Sequence, residues 1–349
     1  MGQFMTIKKM LSLSLAVSVL GFGLFFQAAD AAEDYVKLIG AGASFPAPLY
    51  SKWFKDFHGL HSNVQIDYQS VGSGSGVKNF INKTVDFGAS DAGMKPEEIA
   101  QVEAGAQLLP LTAGAIVLGY NLPDVPELKL SREAYAGIFL GKVTKWDDPL
   151  IAKANPEAKL PDAPINVVVR ADSSGTTFAF SQHLAAISQE FAKSPGVNMM
   201  PNWAVGTRSK GNEGITSSLR TTPGSIAYVE YGYAKGQRLT MAALENKAGK
   251  FVKASTASAQ AALDAVEMPA DLLAWLPDPS GEASYPIVTY TWLLCYKRYD
   301  DANKLKALKG VIEYGLTEGQ KNCEQLGYVP LPTSVAAKVK DALNNIQGK

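Results

Sequence analysis

Two cysteines and three histidines are all the thiol and imidazole chemistry this 349-residue chain possesses. Cys295 and Cys323 are too few for a small disulfide scaffold. His58, His61 and His183 lack the spacing that would gather them with carboxylates around a metal. No charge of one sign dominates, since 33 basic residues face 33 acidic ones, and this argues against the basic stripe of a nucleic-acid-binding protein. Beyond the amino-terminal region there is no apolar run near the length of about 20 residues that crosses a bilayer. An anion bound by such a balanced chain has to be held by local geometry, because bulk charge does not attract it.

The first 31 residues read as an export signal. Lys8 and Lys9 precede an apolar run of 16 residues from Leu11 to Phe26, and Ala29-Asp30-Ala31 gives a small-x-small cleavage pattern. The run is short for a spanning helix, and no cysteine follows it to accept a lipid. Removal of Lys8, Lys9 and Asp30 leaves 31 basic and 32 acidic residues. The rest of the chain suits two domains of about 150 residues. In an oxidising compartment Cys295 and Cys323 could pair, although two small buried hydrophobes is an equally open reading.

Short β-branched runs alternate with helical patterns, which predicts an α/β fold with largely parallel sheets. The strand candidates are 36–39, 64–71, 85–89, 115–120, 165–169, 225–228 and 287–296. Helix candidates cover 47–57, 77–82, 96–104, 132–140, 177–187, 214–220, 302–314 and 334–345. The Ala-, Ser- and Pro-rich stretch 247–282 reads as a decoration of the second domain. Pro110 to Gly114 and Ser284 to Tyr290 are plausible crossings between domains, and two crossings would make the first domain discontinuous.

The informative residues sit where strands feed helices. Gly40-Ala41-Gly42-Ala43-Ser44-Phe45-Pro46-Ala47-Pro48 follows the first strand, with Ser44 placed to cap the next helix. Gly72-Ser73-Gly74-Ser75-Gly76 follows the second, and Arg170-Ala171-Asp172-Ser173-Ser174-Gly175-Thr176-Thr177 follows the fifth. Each offers hydroxyls and bare amides at the positive end of a helix dipole, a natural seat for an anion. One such turn is ordinarily only a cap; three in one chain point to a shared ligand. The Gly72 segment fits neither the phosphate loop of nucleotide hydrolases nor the dinucleotide fingerprint. A fourth turn, Val85 to Asp91, ends an apolar strand in a carboxylate at the same sheet edge, where Asp91 could also cap the segment near Lys95. Arg170 brings a planar donor fork suited to a tetrahedral oxyanion. A structural ion pair with Asp172 is its alternative, and the two roles are compatible.

Together these segments closely resemble the periplasmic phosphate-binding protein of the bacterial high-affinity phosphate ABC transporter (the Pst family). The matches are GAGASFPAP from Gly40, TVDFGASD from Thr84 and RADSSGT from Arg170, supported by LGKVTKWDDP from Leu140, PGSIAYVEYGYAK from Pro223 and YPI from Tyr285. They run in family order over nearly the whole mature chain. The resemblance implies a type II periplasmic-binding-protein fold, two α/β lobes with a ligand cleft between them. Lobe I would comprise 32–110 and 287–349, and lobe II 111–286. By motif position, phosphate contacts would come from Ser44, Phe45 (its amide), Ser73, Asp91, Arg170, Ser174, Gly175 and Thr176. No cofactor or metal is implied; the partners would be inorganic phosphate and membrane permease subunits, and the protein a periplasmic monomer. Three departures stand out. Serine replaces the familiar threonine at Ser44, Ser73 and Ser75 are separated by Gly74 where the family has adjacent serines, and the two cysteines have no counterpart.

The carboxylate suits that ligand. Phosphate near neutral pH carries a proton and sulfate does not, and an ionised Asp91 can only accept a hydrogen bond. Facing sulfate it would stay unpaired, costing about 1–3 kcal/mol or more, so selectivity would arise by exclusion. An enzyme such as a phosphatase would need a metal cluster or an activated nucleophile, and neither is recognisable. Sulfate, molybdate or an organic phosphate could occupy a similar fold.

Overall fold

The computed structural model of the protein describes residues 35–349, so the expected export signal and its cleavage site lie outside the described residues. Strand β1 (Val36–Gly42) alternates buried and exposed positions before its last three residues turn fully inward. The helix after it, α1 (Ala47–Leu60), starts at Pro46 with Pro48 in its first turn, where a missing N–H costs nothing. Leu49, Tyr50, Trp53, Phe54 and Phe57 then form its buried face at helical spacing. Strands β2 (Val64–Ser70) and β3 (Phe87–Ser90) flank β1 in parallel, with α2 (Ser73–Ile81) connecting them.

The next strand, β4 (Ala106–Tyr120), is 15 residues long and buried along nearly its whole length. In the other half of the molecule, α3 (Arg132–Phe139) is followed by β5 (Asn166–Arg170), α4 (Gly175–Ile187), β6 (Thr207–Ser209), α5 (Gly211–Thr221), β7 (Ser225–Glu230) and α6 (Tyr231–Gly236). The chain returns through β8 (Val288–Tyr296) and ends in helices α7 (Ala302–Leu316) and α8 (Thr333–Asn344), which pack on β1 and β4.

Ordered β2-β1-β3-β8-β4-β7-β5-β6, the strands make one continuous sheet curled into two α/β lobes. The outer strands are parallel within each lobe, as the alternation predicts. The centre is not: β8 runs antiparallel to both β3 and β4, and β4 antiparallel to β7. Returning strands caused that difference, because β4 and β8 carry the chain between lobes without a crossover helix. From Ala106 to Ala115, β4 pairs with β8; from Ile116 to Tyr120 it pairs with β7. Apolar side chains from both lobes form a single contiguous core.

Both cysteines are free, buried thiols, Cys295 in β8 and Cys323 at the start of a short helix, so the small-hydrophobe reading holds. His58 and His61 are exposed, and the His61 ring lies tilted against Phe57 with centroids 4.4 Å apart.

Candidate functional site

The four turns converge at the sheet edge between the lobes. Gly72 adopts a left-handed φ of 93°, which lets β2 turn sharply into α2 and sets Ser73 as the first helical residue. Ser73 Oγ accepts from the amides of Asp91 (3.2 Å) and Gly175 (3.0 Å), tying α2 of one lobe to α4 of the other. Nearby, the Gly74 amide donates to the Ser173 carbonyl at 3.0 Å. The approach is so close that a Cβ at Gly175 would lie 2.5 Å from Ser73 Oγ and 2.7 Å from the Asp91 amide nitrogen.

Asp91 lies just past β3. Its Oδ1 accepts from Thr291 Oγ1 at 2.8 Å and its Oδ2 from Thr176 Oγ1 at 3.3 Å. Thr291 stands on β8 beside an irregularity, where the register with β4 skips Leu111 between Thr112 and Pro110. Such a bulge accommodates the proline and re-aims its neighbours. Burial pushes the Asp91 carboxyl up to about 7, against the pull of the Thr291 hydrogen bond and the Arg170 charge. Asp91 does not cap the helix near Lys95; Glu98 accepts the Lys95 amide instead.

Arg170 ends β5. Its Nε and Nη2 bind Asp172 Oδ1 and Oδ2 at 2.8 and 2.5 Å, and its amide donates to Tyr228 Oη at 3.0 Å. The remaining nitrogen, Nη1, is buried with no hydrogen-bond partner among the described residues. Burial opposes the charge of Asp172, but the bonds from Arg170 hold its carboxyl below the usual carboxylate range.

Ser44 does not cap α1, contrary to expectation. Its Oγ accepts instead from Asn212, from the backbone amide at 3.2 Å and from Nδ2 at 2.9 Å. Ser174 is a cap: its Oγ accepts the Thr177 amide at 3.1 Å. The ring of Phe45 is buried in the core against Tyr328, and its carbonyl accepts from Tyr328 Oη at 2.7 Å. Ser75 is exposed on α2.

Of the eight expected residues, direct hydrogen bonds join Ser73, Asp91, Gly175 and Thr176, and Asn212 links Ser44 to Thr176. Arg170 and Ser174 stand on the flanks of the same turn, while no bond ties Phe45 to the group. Ser44, Ser73, Asp91, Arg170, Ser174 and Thr176 are each at most 3% exposed, so the cluster is sealed from water. Sequence reasoning missed Asn212 and Thr291. Asn212 follows Gly211 two residues before the helix expected at 214, repeating the glycine-plus-polar start of the other turns. Thr291, in a β-branched run, gave no signal.

Two curled α/β lobes closing polar turns over a buried arginine and carboxylate define a solute-binding protein of the periplasmic-binding-protein class, and the model of the PBP superfamily domain matches residues 27–318. The chain belongs to that superfamily and, within it, to the PstS phosphate-binding protein family. It is 41% identical over 309 residues to the phosphate-binding protein PstS of Pasteurella multocida, covering 87% of this chain and 88% of that one. Identity to the PstS of Haemophilus influenzae is 39%, over 87% of this chain and 91% of the relative. The fold is also that of a solved phosphate-binding protein from Stenotrophomonas maltophilia, with a TM-score of 0.70 at 20% identity, covering 88% of this chain and 93% of the other.

Proposed function

We propose that this chain captures inorganic phosphate in the periplasm and delivers it to the membrane permease subunits of an ABC transporter. One observation carries the reading: Arg170 Nη1, a charged donor, is buried without an acceptor among the described residues. Such a group costs about 1–3 kcal/mol or more unless something pairs with it, and an oxyanion oxygen is the partner it fits. Hydroxyls of Ser44, Ser73 and Ser174 and the amide of Phe45 would supply further donors, and Thr176 and the Gly175 amide would join them by giving up their present acceptors, Asp91 and Ser73. Ionised, as it is above about pH 7, Asp91 would accept a hydrogen bond from the phosphate hydroxyl and turn sulfate away.

The lobes would divide at 110/111 and 286/287, with residues 1–31 removed on export. The change of partner of β4 after Ala115 supports a crossing close to the expected one. The protein would act as a monomer and without catalysis, and the amino-terminal signal would place it outside the inner membrane.

Calorimetric titration of ligand-stripped mature protein with phosphate, with sulfate as competitor, tests the reading. One-to-one phosphate binding undisturbed by excess sulfate is expected. Binding of sulfate would overturn the ligand, and binding of neither by folded, stripped protein would overturn the function.

A further inference from the structure

A serine hydroxyl has one proton and two lone pairs. At Ser44 both lone pairs are taken, because Asn212 donates to Oγ through its amide at 3.2 Å and its Nδ2 at 2.9 Å. The hydroxyl proton has to point elsewhere. Ser73 shows the same arrangement built from backbone alone, with the amides of Asp91 and Gly175 filling its lone pairs. Asn212 Nδ2 also reaches Thr176 Oγ1 at 3.5 Å, while the Thr176 proton goes to Asp91 Oδ2.

The orientation of Asn212 is itself fixed. Its Oδ1 accepts the Glu230 amide at 3.1 Å, and a flipped side chain would set two donors against each other. Asn212 is fully buried at the start of α5, in the lobe opposite Ser44, and Glu230 ends β7 with its carboxylate capping α6 at 2.7 and 3.1 Å.

We infer that Asn212 is a positioning residue for anion recognition: by filling the lone pairs of Ser44 across the cleft it makes that hydroxyl an obligate donor, and only when the lobes are closed. The site then offers an anion hydroxyl donors of fixed polarity, with Asp91 as the lone side-chain acceptor. A hydroxyl free to reverse would accept from a protonated ligand as readily as donate to it, so the fixed polarity adds discrimination as well as affinity. The inference rests on the phosphate reading above.

Its test is a double-mutant cycle read by phosphate titration. Asn212→Ala is expected to weaken phosphate binding about tenfold, the worth of roughly one hydrogen bond. Ser44→Ala removes the hydroxyl, and adding Asn212→Ala to it should then cost less than about twofold more. A merely structural Asn212 would lower the melting temperature yet weaken binding by the same factor in both backgrounds, and that result overturns the inference, as does unchanged affinity in Asn212→Ala. Should the alanine variant not fold, Asn212→Asp keeps the shape and the bond to Glu230. Its carboxylate would draw the Ser44 proton away from the ligand and should weaken phosphate more than about tenfold; affinity equal to wild type sinks the inference. Failure of the wild-type protein to bind phosphate is a separate outcome that removes the phosphate reading itself.

Discussion

Arg170 and Asp172 are joined by two side-by-side hydrogen bonds, and the guanidinium nitrogen left over has no hydrogen-bond partner among the described residues. Asp172 also accepts the Gly211 amide at 3.0 Å, so it is anchored to α5 while it orients Arg170. Replacing Asp172 by Asn keeps the shape, removes the charge and one acceptor, and frees the fork. Phosphate affinity should fall about tenfold to a hundredfold, in line with a lost charge-assisted pair. Arg170→Lys, which keeps the charge but loses the planar fork, should fare no better. Calorimetry on both variants checks this, and affinity in either equal to wild type would count against a positioned guanidinium.

Asp91→Asn should weaken phosphate and reduce the rejection of sulfate, since an amide can donate to an unprotonated oxyanion. Competition titrations of the two anions report it directly, and unchanged selectivity would rule out exclusion by Asp91.

Proton linkage gives a third expectation. Burial raises Asp91 to about 7 and Glu230 to about 8, each above its unfolded value of 3.8 and 4.5. Between those values the folded state binds more protons than the unfolded one, so stability falls as pH rises through the window. Each group contributes a slope of at most about 1.4 kcal/mol per pH unit. Ligand-free protein should therefore melt higher at pH 6 than at pH 8 (about two units apart, inside the window). Glu230→Gln should flatten the dependence; equal slopes in variant and wild type would show that Glu230 stays ionised.

Gly175→Ala tests closure. A methyl group there meets Ser73 Oγ and the Asp91 backbone at under 3 Å, with little freedom to yield. The variant should fold, because α4 gains a better helix former, yet bind phosphate at least about tenfold more weakly as the interlobe bonds part. Small-angle scattering with and without phosphate would report the lobe separation.

Much of the fold was legible because its outer strands and helices follow the simple periods. Strand β1 and helix α1 begin where β-branching and the prolines place them. The first half of β4 was not legible, since Pro110 inside an apolar run argues against a strand unless a bulge accommodates it, and a bulge is invisible without the partner strand. The site divided in the same way. Residues at helix starts announced themselves through local chemistry, whereas Asn212 meets Ser44 and Thr291 meets Asp91 at sequence separations of 168 and 200 residues. Ser44 was given a local partner as a helix cap, whereas its observed partner, Asn212, lies across the cleft.

Strand β4 has a mechanical consequence. It is hydrogen-bonded to β8 on one side of Ala115 and to β7 on the other, without a break in the strand. If the lobes divide along this line, as proposed, parting them would flex this strand, with the Tyr285–Ile287 segment beside it, because Ile116 donates to Ile287 there at 2.9 Å. The molecule would open like a leaf spring whose travel is set by how far a paired strand can twist, not like two blocks on a slack tether.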